Sequence, residues 1–218
     1  MELYNVRIFY SKKGDARYIS HLDLSRFMQR SLKRTELPLW HTEGFNPHPY
    51  VTFALPLSVG QSGENETMDF RLTRQVAFEE IRQRLAAVMP PDIEIKKAAA
   101  PVYKAKDIQK AIYEIELFEC ADLYEKVEQF FAQKKIITAK KTKKGVMKEI
   151  DIAPMILAHE IEAQGKDILA RLTLLTGSEV NLNPALAIKA LEAFCKREFC
   201  PVRITRKEIL TKDGVSFE

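Results

Sequence analysis

Arg26, Arg30 and Lys33 recur at four- and three-residue intervals within RYISHLDLSRFMQRSLKR (Arg17–Arg34), and Arg34 follows directly. On a helix this spacing makes one cationic stripe, which can meet successive phosphates of a nucleic-acid backbone. A solvated helix face carries the same stripe with no ligand at all. Arg17 opens the segment and adds to its basic character. Tyr18, Trp40, His41 and Phe45 lie close in sequence and supply rings on which bases can stack.

Three of the four histidines, His21, His41 and His48, fall in the same stretch. His21 and His48 are the candidates for acid–base catalysis. Asp23, Glu43 and Glu66 stand near enough in sequence to join the histidines around a metal. No recognised ligand spacing links them, and no metal is expected. Structural hydrogen bonding is the plainer use of these rings.

The segment HTEGFNPHPY (His41–Tyr50) reads as a stiff loop, with Gly44 suited to a turn and Pro47 and Pro49 restricting the backbone beyond it. Asn46 and His48 can donate or accept hydrogen bonds there, and Phe45 can stack on a ligand or plug the core. SVGQSGENE (Ser58–Glu66) is rich in glycine and small polar residues; it can approach a backbone or phosphate closely, or serve as a plain strand connection. It lacks the lysine and following serine that a P-loop holds at fixed positions, so a nucleotide-hydrolase reading is not justified. KKIITAKKTKKGVMK (Lys134–Lys148) carries seven lysines, and Lys140, Lys141, Lys143 and Lys144 precede the turn at Gly145. A basic hairpin tip can clamp a phosphate backbone, and lysines on a turn also serve solubility.

These residues must be positioned by two similar halves. Strand Tyr4–Tyr10, helix Ser20–Arg34, strands Val51–Leu55 and Met68–Leu72, helix Ala77–Met89 and strand Ile93–Lys97 make one β-α-β-β-α-β unit. The first helix buries Leu24, Phe27, Met28 and Leu32, with Ser20 and Asp23 placed as a capping pair. The second helix turns Phe78, Ile81, Leu85 and Val88 inward. The order repeats in strand Ile112–Phe118, helix Asp122–Gln133, strands Ala158–Ala163 and Ile168–Leu175, a helix from Asn183-Pro184, and strand Val202–Ile209. The last helix presents Ala187, Ala190, Leu191 and Phe194 to its core. A hairpin, Ile136–Ala139 with Lys148–Ile152, is extra to this half. The expected architecture is α+β, two tandem ferredoxin-like units: residues 1–97, a linker 98–110, and residues 111–218. Pro38–Pro49 then leads from the first helix into the second strand, which sets His41, Phe45, Asn46 and His48 near that helix.

Bulk composition agrees with a globular chain: of 218 residues, 46% are hydrophobic and 29% charged. Residues 1–110 hold 17 basic and 13 acidic side chains against 17 and 17 in the remainder, so the net charge of +4 belongs to the first half. Cys120, Cys195 and Cys200 lack the spacing of a zinc, redox or iron–sulfur site and read as reduced thiols. No leader or bilayer-length apolar run is evident, so a cytoplasmic protein away from membranes is expected.

RYISHLDLSRFMQRSLKR, LPLWHTEGFNPHP, LPLSVGQSGENE and KEIDIAPMI together resemble the radical-SAM-linked bacterial protein family, along nearly the whole chain. Its members occur fused to, or encoded beside, cobalamin-binding radical SAM proteins. The resemblance implies a radical SAM enzyme as partner and an RNA-related pathway, and it brings no defined activity. A second likeness is to the repeat-RNA-processing endonucleases of CRISPR systems. Their glycine-rich loop is reduced here to Gly214 in ILTKDGVSFE.

The leading expectation is a non-catalytic accessory protein, without a cofactor, that presents RNA or an RNA-containing substrate to a radical SAM enzyme. Its contacts would be Arg17, Arg26, Arg30, Lys33, Phe45, Asn46, His48 and the lysine hairpin. The alternatives are a metal-independent endoribonuclease using His21 or His48, and a protein-interaction adaptor.

Overall fold

A computed structural model describes residues 2–141, 147–177 and 180–218, and the side chains of Lys140 and Lys141 fall outside this description. The chain divides into two compact units: Met1–Asp107 with Ser216–Glu218, and Ile108–Val215.

The first unit runs β1 (Tyr4–Lys12), α1 (His21–Arg34), β2 (Val51–Phe53), β3 (Ser62–Leu72), α2 (Phe78–Ala86) and β4 (Ile93–Ala99). Its strands pair antiparallel in the order β4-β1-β3-β2. That is the order a β-α-β-β-α-β chain adopts when both helices cover one face of one sheet. Val6, Ile8 and Tyr10 of β1 point into that layer, where Leu24, Met28 and Leu32 of α1 and Ile81 and Leu85 of α2 meet them. The intervening residues of β1 are buried too. Arg7 pairs bidentately with Asp69 on β3, at 2.7 Å through both Nε and Nη2. Phe217 lies over its guanidinium at 4.3 Å.

α1 starts where its capping residues place it. The Asp23 amide donates to Ser20 Oγ at 3.2 Å, and Ser20 Oγ donates to the Asp23 carboxylate at 2.7 Å. This satisfies one of the open amides of the first turn. β3 departs from expectation by starting at Ser62, so half of the Ser58–Glu66 connection is strand. β1 continues beside it, with Tyr10 opposite Glu66 and Lys12 opposite Gly63, and supplies the ladder partners. A Cβ at Gly63 would press on the buried Glu66 side chain.

The second unit runs β5 (Ile108–Leu117), α3 (Tyr124–Phe131), β6 (Ile137–Lys141), β7 (Met147–Asp151), β8 (Ile156–Gln164), β9 (Asp167–Leu175), α4 (Pro184–Cys195) and β10 (Val202–Thr211). The order β10-β5-β9-β8 repeats the first unit's pattern, and β6-β7 form the extra hairpin. The α+β architecture of tandem units is thus present. The stretch 98–110 holds the end of β4, a short 3-10 turn (Ala105–Asp107) and the start of β5. Two residues expected inside, Phe78 at the start of α2 and Phe194 near the end of α4, are each 43% exposed. Both sit in a terminal turn, where the helix overhangs its core.

Among the described residues no helix is long and apolar enough to cross a membrane.

Candidate nucleic-acid interface

Between α1 and β2 the chain makes a small hairpin of its own. Leu39 bridges to Leu72 beside β3, and the Trp40 amide donates to the Arg71 carbonyl at 2.9 Å. The chain then leaves the sheet and returns. His41 pairs with Pro49, the Thr42 amide donates to the His48 carbonyl at 2.9 Å, and the Tyr50 amide donates to the Trp40 carbonyl at 3.3 Å. His48 Nδ1 donates to the Asn46 carbonyl at 2.9 Å and lies 3.2 Å from Thr42 Oγ1. Gly44, at φ 122°, turns the tip through a conformation that side chains rarely adopt.

Phe45 follows Gly44 and stands free at the tip, 104% exposed. It does not plug the core. Trp40, by contrast, is part of the loop's foundation: it meets Tyr50 edge-on at 5.6 Å, and Arg71 lies 5.4 Å from Trp40 and 4.5 Å from Tyr50. Nothing in the local sequence singles out Arg71, which holds these two rings at the loop base.

Gln29 is the second residue that sequence reasoning misses. Its Nε2 donates to the Pro49 carbonyl at 3.4 Å and ties the loop to α1. Arg26 precedes Gln29 by three residues and Lys33 follows by four, so all three share one stripe of the helix. The loop therefore meets α1 in the middle of its cationic line. A lone glutamine between two cations is an ordinary surface pattern, and only the loop's return path gives it a partner.

Arg26, Arg30, Lys33 and Arg34 are exposed. Arg26 lies 3.8 Å from Asp23, an open pair that screens weakly. Arg30 and Lys33 make no ion pair among the described residues. The second unit differs. On its sheet Arg171 reaches Glu114, Glu160 and Glu162, Lys207 reaches Glu114, and Arg203 reaches Glu116. Those charges neutralise one another, while the cations of α1 stay available.

At the other end of α1, Arg17 lies in a 3-10 turn (Gly14–Tyr18) held by Asp92, whose Oδ2 accepts from the Asp15 amide at 2.9 Å. The Arg17 carbonyl accepts from the Gly60 amide at 2.8 Å. Its guanidinium lies 4.7 Å from the Tyr18 ring, which is 58% exposed. His21 packs edge-on against Phe53 at 5.1 Å, while His41 Nδ1 donates to the Leu39 carbonyl at 3.2 Å. The three histidines thus have separate partners. Among the described residues no three His, Cys, Asp or Glu side chains come together as a metal site would require. Lys140 and Lys141 belong to β6, and Lys143 and Lys144 lie outside the described residues.

A family model described as an uncharacterized protein conserved in bacteria, DUF2344, matches residues 5–184. No curated relative matches. Among solved structures, an unknown protein from Galdieria sulphuraria is similar at 12% identity, over 96% of this chain and 100% of that one, with a TM-score of 0.27.

Proposed function

The chain belongs to the DUF2344 family of uncharacterized proteins conserved in bacteria, and for it we propose the role of an accessory RNA-binding protein that serves a radical SAM enzyme in the cytosol. One observation carries the RNA part: the hydrogen bond from Gln29 to the Pro49 carbonyl, which joins an exposed aromatic loop to the line of Arg26 and Lys33. Cations supply affinity for any phosphate backbone, and an open ring with nearby amide and imidazole groups adds contacts to bases. The radical SAM partner is supported by the motifs in Arg17–Arg34, His41–Pro49 and Ser58–Glu66, which resemble the radical-SAM-linked family. In this division of labour the partner supplies the radical chemistry.

The test is charge reversal on the stripe. R26E/R30E/K33E should fold normally, since all three side chains are exposed, and should lose RNA binding. The wild-type affinity should fall steeply with added salt, because each phosphate contact releases a counterion. Unchanged RNA affinity in the folded triple variant refutes the reading. Protein-dependent RNA cleavage that disappears in H21A or H48A would instead mark a nuclease. Capture of a radical SAM protein from cells by the full chain tests the partner separately.

A further inference from the structure

We infer that the ligand of this surface is a single-stranded segment of RNA, which stacks an unpaired base on Phe45 while its phosphates follow Arg26, Arg30 and Lys33. The inference rests on the RNA-binding reading and narrows it.

The Phe45 ring stands uncovered at the hairpin tip. It is 104% exposed, and a Cβ built on Gly44 beside it would meet nothing within 4 Å. None of the loop's hydrogen bonds depends on this side chain. A phenyl ring gains free energy whenever another flat apolar surface covers it. The hairpin that carries the ring is held by its own contacts. The paired legs, the His48 contacts and the Gln29 anchor hold the backbone around the tip. Presenting the ring therefore costs little ordering entropy at the moment of contact.

Charge around the ring favours a nucleic acid over a protein. A protein pocket that received Phe45 would bring its rim against the exposed cations of α1. A nucleic-acid strand satisfies both features at once, with a base for the ring and phosphates for the stripe. Duplex RNA fits poorly. Its bases are stacked on one another and shielded by two backbones, so a lone ring at a hairpin tip finds no free face. Single strands offer that face at every nucleotide, and the resulting binding tolerates sequence. Trp40 and Tyr50 do not compete for the base, since Arg71 and their mutual contact occupy them.

The experiment uses the full chain and a short fluorescent RNA of randomised sequence, read by anisotropy. Two controls carry the same number of phosphates: a duplex of half the length, and a strand of abasic phosphodiesters of equal length. Wild type should prefer the randomised single strand to both controls by about tenfold or more, the scale of base–aromatic stacking. F45A should lose that preference while keeping its melting temperature and its affinity for the abasic strand. F45W should retain the preference. R26E/R30E/K33E should lose all three ligands. If F45A binds the randomised strand as wild type does while the triple variant fails, stacking is refuted and RNA binding stands. If wild type binds no RNA, both fall. If F45A keeps its RNA affinity but loses a radical SAM partner in capture, the ring is a protein anchor and the inference is overturned.

Discussion

Arg7 is a charged residue buried within β1. Its side chain is 2% exposed, and its charge is met by Asp69, which keeps 27% exposure. Nη1 is buried without a hydrogen-bond partner among the described residues. Burying an ion pair stabilises little, but removing one partner leaves a charge with nothing to offset its lost hydration. D69A should therefore cost about 3 kcal/mol, and R7M/D69A should recover much of that loss. Urea denaturation of both variants checks the ordering, and equal stability of the two would contradict it. The cysteines give a second residue-scale prediction. Burial pushes the Cys120 and Cys195 thiols up, whereas Cys200 is exposed. The thiolate is the reactive species, so native protein should titrate one thiol with Ellman's reagent and unfolded protein three. A count of two or three in the native state would contradict the burial.

At the scale of elements, the two helices of the first unit are started by different means. α1 has Ser20 as its cap. α2 begins after Ala77, which has no side-chain cap, and relies on acidic residues in its first turn. Glu79 accepts hydrogen bonds from Arg82 and Gln83. The Arg82 bond, with a smaller contribution from Gln83, lowers its carboxyl from the usual 4.5 to about 2. A depressed carboxyl favours the folded state above the unfolded pKa. That contribution is complete above about pH 4.5 and is lost as the pH falls to about 2. E79Q should thus lower the melting temperature near neutral pH and narrow its difference from wild type as acid is added through that window. A difference that stays constant from pH 5 to about 2 would exclude the linkage.

For the whole molecule, chain order and unit membership part company at the last residues. Ser216–Glu218 belong to the first unit although the preceding strand, β10, belongs to the second. The Glu218 carbonyl accepts from the Val102 and Tyr103 amides, Glu218 Oε1 pairs with Lys97 at 3.1 Å, and Phe217 stacks with Tyr103. Phe217 is 2% exposed, so F217A should cost about 3 kcal/mol. Hydrogen exchange locates the loss. Amides of β1 should lose protection before those of β5, and the reverse order would refute the assignment.

The order of strands and helices, the Ser20–Asp23 cap and the inward set Leu24, Met28 and Leu32 were legible in the sequence. Each is a pattern among neighbours, and hydrophobic spacing reports which side of an element faces inward. The cationic spacing of Arg26, Arg30 and Lys33 was legible for the same reason. Whether Phe45 points in or out was not, because either orientation satisfies the local string EGFNP. The return of the loop to Gln29, the early start of β3 at Ser62 and the burial of Arg7 were also hidden. Asp69 lies 62 residues from Arg7, and Pro49 lies 20 from Gln29. Such contacts exist only once the sheet has set its register and the chain has closed the hairpin, so tertiary structure alone decides which exposed ring stands beside which charge.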